Sequence, residues 1–164
     1  MLSDADRQKV EGYLAAKWLG VALGNASDFS GATVTGAGTV KTASPDALPS
    51  FADFSGTVVV TDESPSWSFT VARDTVTDPC DLDNGTLTSG QTIAVSVAFT
   101  AKPSALVRTF KLVSWAEGKT PVATFALADG RPTGAAGAAT YTLRKAADGL
   151  YLDRQAPGFY LLFR

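Results

Sequence analysis

Four oxygen-bearing side chains occur within a short stretch of the sequence, at Asp78, Asp81, Asp83 and Asn84, just before Gly85. Carboxylate and amide oxygens are the ligands that calcium prefers when several of them converge on one ion. The spacing does not fit an EF-hand loop, because no glutamate occupies the twelfth position of such a loop. Asp, Asn, Pro and Gly are also the residues that most often form turns. We therefore favour a turn over residues 78–85 and keep a calcium site as the alternative.

Three aromatic residues in the last third of the chain have the chemistry to bind a sugar. Alternation along the predicted strands places Trp115, Tyr151 and Tyr160 on the outer face, opposite their inward-pointing neighbours. Exposed Trp and Tyr rings offer flat apolar faces on which a sugar ring can stack. The same outer face is also the natural surface for burying an amphipathic helix. Helix docking is the favoured interpretation, and sugar stacking is the alternative.

The residue types that most often carry out catalysis are scarce. Histidine is absent, which excludes Ser–His–Asp and Cys–His catalysis and histidine-ligated metal centres. Cys80 is the single cysteine, and no second cysteine or histidine exists to activate it. The three glutamates, at positions 11, 63 and 117, fall in a predicted helix or turns and specify no carboxylate pair for glycoside hydrolysis. The chain is therefore predicted not to be an enzyme, and calcium is the one cofactor considered.

Length and composition are those of a globular protein. The chain has 164 residues, of which 45% are hydrophobic and 18% are charged, enough to form one packed core. The net charge of −2 provides no basic surface, so nucleic acid is not an expected partner. No run of 18 apolar residues is present to span a membrane, and the opening residues lack the pattern of a signal peptide.

The spacing of apolar residues predicts a helix over residues 3–19. Ser3 is a favourable N-cap, and Gly20 is placed to end the helix. One apolar stripe recurs at helical spacing and consists of Val10, Tyr13, Leu14 and Trp18. Residues 1–24 are therefore predicted to be a helix and linker, and residues 25–164 a β-sandwich domain.

Beyond residue 24 the pattern changes to the alternation that is typical of strands. Trp67, Phe69 and Val71 alternate with polar residues, and Ile93, Val95, Val97 and Phe99 alternate with small ones. Further strands are predicted at 31–42 (as strand–turn–strand), 57–61, 106–115, 122–127, 140–145, 150–153 and 159–164. Turn signals between them favour an all-β fold, an antiparallel, meander-rich and jelly-roll-like β-sandwich with the N-terminal helix packed on its surface. Gly-Thr-Val recurs at 38–40 and 56–58, which leaves a β-solenoid end over residues 31–61 as an alternative.

The stretch Leu-Ser-Asp-Ala-Asp-Arg-Gln-Lys-Val-Glu-Gly-Tyr-Leu-Ala-Ala-Lys-Trp, from Leu2 to Trp18, resembles the closing helix of concanavalin A-like or laminin-G-like lectin domains in large bacterial exported proteins. The family pattern has glutamate in place of Asp6 and glycine in place of Leu19. The resemblance does not extend to the lectin sandwich itself, so no lectin binding residue is carried over. The remainder resembles more loosely the C-terminal modules of such surface proteins. The resemblance implies a secreted or cell-surface location, with upstream domains of the same polypeptide as partners.

These observations predict a non-catalytic structural or adhesion module of a larger exported or cell-surface bacterial protein. The alternative is a carbohydrate-binding module that binds glycans through Trp115, Tyr151 and Tyr160. Residues 158–164, Gly-Phe-Tyr-Leu-Leu-Phe-Arg, are too apolar for an exposed edge strand and are expected to form a central strand.

Overall fold

The computed structural model describes residues 33–48, 50–104, 107–135 and 137–155, and within these ranges the protein is mostly β. The strands are β1 (Thr33–Gly36), β2 (Thr39–Thr42), β3 (Ser50–Phe54), β4 (Thr57–Val60), β5 (Ser66–Ala72), β6 (Thr75–Val76), β7 (Cys80–Asp81), β8 (Thr86–Phe99), β9 (Thr109–Ser114), β10 (Val122–Leu127), β11 (Thr140–Ala146) and β12 (Gly149–Gln155). The helical segments in these ranges are two 3-10 turns, at Pro45–Ala47 and Ala128–Gly130. The predicted helix over 3–19 and the predicted strand over 158–164 lie outside the described residues.

Parallel pairing dominates the larger sheet. It follows the order β2-β4-β8-β5-β6, with β10 also paired to β8, and only the short β5–β6 contact is antiparallel. A second sheet follows the order β11-β12-β9-β7, in which β11–β12 and β12–β9 are antiparallel and β7–β9 is parallel. A separate pair, β1 and β3, is parallel. The predicted antiparallel pairing is therefore found for β11–β12 and β12–β9 of the second sheet. The predicted meander is wrong at β10, which pairs in parallel with β8, and the antiparallel prediction is wrong for most of the first sheet.

The parallel pairs arise because successive segments of the chain stack on one another. We call these segments coil 1 (33–48), coil 2 (50–72), coil 3 (80–99) and coil 4 (109–133). The registers Thr39↔Thr57 and Thr57↔Thr86 join the first three coils, and Phe125↔Ile93 joins the last two. The parallel registers of β2, β4 and β8 agree with the solenoid alternative over the described part of residues 31–61, and parallel stacking continues as far as β10.

A glycine corner fixes where each coil turns from one strand to the next. Gly38, Gly56 and Gly85 precede the stacked residues Thr39, Thr57 and Thr86, so the Gly-Thr-Val pattern recurs a third time as Gly85-Thr86-Leu87. A Cβ on Gly56 would collide with the backbone of Gly38, and one on Gly85 would lie 2.6 Å from the ring of Phe54. The coils therefore stack this closely only because no side chain is present at the corner.

The corner also explains why residues 31–42 do not form a hairpin. β1 and β2 are both strands, as expected, but β1 pairs with β3 and β2 pairs with β4 in a different sheet. The two residues between them, Ala37 and Gly38, turn the chain from one sheet to the other. Glycine-rich connections suit a corner as well as a hairpin, so the local sequence does not distinguish them.

The interior is one apolar core shared by the sheets. Trp67, Phe69 and Val71 are buried, as predicted, and so is the second predicted inward set, Ile93, Val95, Val97 and Phe99. The ring of Phe99 lies 5.4 Å from that of Phe110 and thereby joins the large sheet to the second one. Each buried large apolar side chain contributes about 1.5–3 kcal/mol to stability.

A β-bulge in β9 changes which residues point inward. Tyr151 pairs with Lys111 and Leu150 pairs with Val113, so Leu112 is an extra residue in β9. Both Leu112 and Val113 are consequently buried. The expectation that Trp115 points outward is wrong, because the bulge shifts the alternation by one residue.

Substitution of Gly56 by alanine tests the corner. The new Cβ meets backbone atoms of Gly38 that cannot move without separating coils 1 and 2. We expect Gly56→Ala to lower the free energy of unfolding by about 2–4 kcal/mol in chemical denaturation. Gly90→Ala is the matched control, since a Cβ at Gly90 meets nothing within 4 Å. Equal stability of the two variants would contradict the stacked corner.

Candidate functional site

The acidic stretch 78–84 is folded by its own side chains. Asp81 Oδ1 accepts a hydrogen bond from the backbone N–H of Asp83 (3.0 Å), which closes a local turn. Asn84 Nδ2 donates to Asp83 Oδ1 (3.1 Å). The hydroxyl of Thr77 donates to Asp78 Oδ2 (3.1 Å). The turn interpretation of this stretch fits these contacts.

Asp83 additionally holds three coils together. Its Oδ2 accepts a hydrogen bond from the backbone N–H of Phe54 in coil 2 (2.8 Å). Its carbonyl oxygen accepts one from the N–H of Ala116 in coil 4 (2.9 Å). The backbone of Asp83 is left-handed, with φ of 51°, a conformation that Asp and Asn tolerate better than most residues. Asp83 is therefore a structural clamp beside the glycine corner.

The calcium alternative gains no support from this geometry. Within the described ranges, no group of three or more His, Cys, Asp or Glu side chains is arranged to hold a metal ion. Asp83, one of the four candidate ligands, already accepts hydrogen bonds at both carboxylate oxygens.

Trp115 is a core residue and not part of an exposed platform. Its side chain is 4% exposed, and its indole Nε1 donates to the carbonyl oxygen of Ala147 (3.0 Å). The bond joins the end of β9 to the turn between β11 and β12, so the ring anchors that turn. Tyr160, the third member of the predicted sugar-binding set, lies outside the described residues.

Tyr151 lies on the outer face, as expected, but its ring and hydroxyl are engaged by charged neighbours. The hydroxyl donates to Asp148 Oδ2 (2.7 Å), and Lys111 Nζ donates to the same oxygen (3.0 Å). These hydrogen bonds, from Tyr151 first and Lys111 second, lower the pKa of the Asp148 carboxyl. The guanidinium of Arg144 lies 4.6 Å from the centre of the Tyr151 ring, within the range of a cation–π interaction.

A second ion pair continues this cluster along β11 and β12. Arg144 Nε donates to Asp153 Oδ2 (2.6 Å), and the Thr109 hydroxyl donates to Asp153 Oδ1 (3.1 Å). The hydrogen bond from Arg144 lowers the pKa of the Asp153 carboxyl. The stabilisation from this pair is present above the pKa of an unfolded aspartate and is lost as the pH falls through the lowered value. Because the pair is largely exposed to solvent, its contribution to stability is small.

The thiol of Cys80 stays protonated at neutral pH. Burial, with a smaller effect from the neighbouring charge of Asp81, raises the pKa of this thiol to about 12. The thiolate, which is the nucleophilic form, is therefore almost absent at neutral pH.

Two side chains that were not predicted from the sequence, Asp46 and Lys145, form hydrogen bonds to the backbone of other strands. Asp46, in the 3-10 turn of coil 1, accepts a hydrogen bond from the backbone N–H of Ser68 (2.6 Å) and so covers part of the edge of β5. Lys145 donates from β11 to backbone carbonyls of β10 and its preceding residue. Neither contact has a local sequence signal. The third Gly-Thr-apolar triplet, at 85–87, was also missed as a repeat, although it is visible in the sequence.

The chain matches no protein-family model, no curated protein and no solved structure. The resemblance of residues 2–18 to a lectin-domain helix thus stays a prediction. Over the described ranges, none of the helical segments has the length and apolar character needed to cross a membrane.

Substitution of Asp83 distinguishes its role as a structural clamp from a role as a calcium ligand. Asp83→Ala leaves the N–H of the buried Phe54 without its acceptor, so we expect a loss of about 1–3 kcal/mol in the free energy of unfolding. Asp83→Asn keeps an oxygen acceptor and should lose less. If Asp83 held calcium instead, calcium would raise the melting temperature of the parent protein and a chelator would lower it, and neither reagent would affect Asp83→Ala.

Proposed function

We propose that this chain is a non-catalytic structural or adhesion module of a larger exported or cell-surface bacterial protein. The fold that belongs to this proposal is a sandwich of two sheets around the shared core, with the predicted N-terminal helix packed on its surface. Upstream domains of the same polypeptide are its proposed partners.

The observation that carries the proposal is that polar and aromatic side chains are used for contacts within the fold. Asp83 connects three coils, Trp115 anchors the β11–β12 turn, and Tyr151 is held within an ion-pair cluster. These are the residues whose chemistry was most suited to binding or catalysis. Their engagement within the fold supports a structural role, in which the module provides a rigid stack rather than a reactive site.

Carbohydrate binding is the alternative proposal, and it now depends on fewer residues. Trp115 is buried, which leaves Tyr151 among the described aromatics and Tyr160 outside the described ranges. Tyr151 is half-buried and lies beside two carboxylates, groups that can accept hydrogen bonds from sugar hydroxyls. The cationic side chains near its ring compete with a stacked sugar for the same faces.

A glycan-array screen of the whole chain distinguishes the two proposals. Tyr151→Ala and Tyr160→Ala remove each ring, and Tyr151→Phe is the matched control that keeps the ring but loses the hydroxyl. A structural module is expected to bind no glycan, and binding that is equal in all variants would contradict it and place the glycan site on other residues. Binding that is lost in Tyr151→Ala or Tyr160→Ala, retained in Tyr151→Phe and accompanied by an unchanged melting temperature would instead establish the carbohydrate-binding module.

A further inference from the structure

The core is incompletely covered on one side, between β10 and β11. Alternation makes Phe125 and Leu127 inward-pointing residues of β10, and Leu143 an inward-pointing residue of β11, yet all three are only half-buried. By contrast, Leu150, which lies beneath them, is fully buried. A slot of about 200 Å³ separates the two strands and is lined by Ala123, Thr124, Phe125, Leu143, Lys145 and Leu150.

Lys145 closes one end of this slot. Its Nζ donates to the carbonyl oxygens of Pro121 (3.3 Å) and Ala123 (3.0 Å). The lysine thereby satisfies backbone acceptors along the side of β10 that faces β11. The opposite end, towards Phe125 and Leu143, has apolar walls and receives no such polar bridge among the described residues.

The last described residue, Gln155, lies on the strand next to β11, at the end where β11 begins. Gln155, the last residue of β12, pairs with Thr140, the first residue of β11. Leu143 is three residues further along β11, at a distance of about 10 Å for the rise of a β-strand. An extended chain covers up to about 3.3–3.6 Å per residue, so a segment continuing from Gln155 needs about four residues to span that distance.

The same residues have the composition that the slot requires. Residues 158–164, Gly-Phe-Tyr-Leu-Leu-Phe-Arg, contain one charged side chain and alternate so that Phe159, Leu161 and Phe163 share a face. We propose that this segment lies over the slot between β10 and β11, with that face packed on Phe125 and Leu143. It thereby completes the core of coil 4.

Other occupants fit the slot less well. Its volume is below the roughly 300–1,000 Å³ of pockets that hold small-molecule ligands. The apolar stripe of residues 3–19 precedes coil 1, whereas β10 belongs to coil 4, with two coils stacked between them. Residues 158–164 are therefore favoured, because in the sequence they closely follow β12, the strand that pairs with β11.

Disulfide trapping in the full chain tests the proposal. Cys80→Ser provides a background without other thiols, and Leu143→Cys places one thiol in the slot. This variant is combined in turn with cysteine at 159, 161 or 163, and with cysteine at 160 or 162 as matched controls on the other face. We expect at least one of the odd positions to form an intramolecular disulfide about tenfold faster than either even position, because bonding requires closely spaced Cβ atoms. Equal rates, no disulfide at any position, or a disulfide between two copies of the chain would overturn the proposal.

A measurement without cysteines keeps the test independent of how those variants fold. Leu161→Ser and Leu162→Ser change the same side chain on opposite faces of the segment. Leu161→Ser is expected to unfold at a lower denaturant concentration than Leu162→Ser, since only Leu161 would lose a buried apolar contact. The reverse order, or no difference, would contradict the assignment of faces.

Discussion

Close backbone contact at the glycine corner is the constraint on which the stacked coils depend. Gly56 lies so near to Gly38 that no Cβ fits between them, and the ring of Phe54 lies against Gly85. Once these backbones approach, the strands that follow are in register from Thr39 to Thr57 to Thr86. The apolar residues of each coil then lie above those of the next, and the core forms as a continuous stack. The positions of β2, β4 and the first residues of β8 in the larger sheet follow from that register.

Asp83 complements the corner electrostatically. A tight turn leaves backbone N–H groups without partners inside the same strand, and burial makes such groups costly. The carboxylate of Asp83 accepts a hydrogen bond from the N–H of Phe54, and its backbone carbonyl accepts one from Ala116. Asp83, whose carboxylate could suggest metal binding, thus connects the coils through hydrogen bonds. The same holds for Trp115, whose polar edge is used inside the protein and not at its surface.

The positions of the longer strands could be read from the sequence, but those of the short strands β6 and β7 and the strand partners could not. β10 was predicted at residues 122–127 and lies at Val122–Leu127, and the inward residues Trp67 and Phe69 are buried. Alternation is identical for parallel and antiparallel pairing, so it does not report which strands meet. The bulge at Leu112 has no local signal, and it moved Trp115 from the expected surface into the core. The clamp formed by Asp83 was also beyond prediction, because its partner Phe54 lies 29 residues away in sequence.

The most direct test of the stacked-coil account is the set of nuclear Overhauser contacts between backbone protons in the isotopically labelled chain. The account predicts contacts between residues near Val40 and Val58, and between residues near Val58 and Leu87, in the pattern of parallel strands. Contacts that pair residues 33–36 with residues 39–42 in antiparallel register would place a hairpin where the account places a corner. That result, or the absence of contacts between Val58 and Leu87, would contradict it.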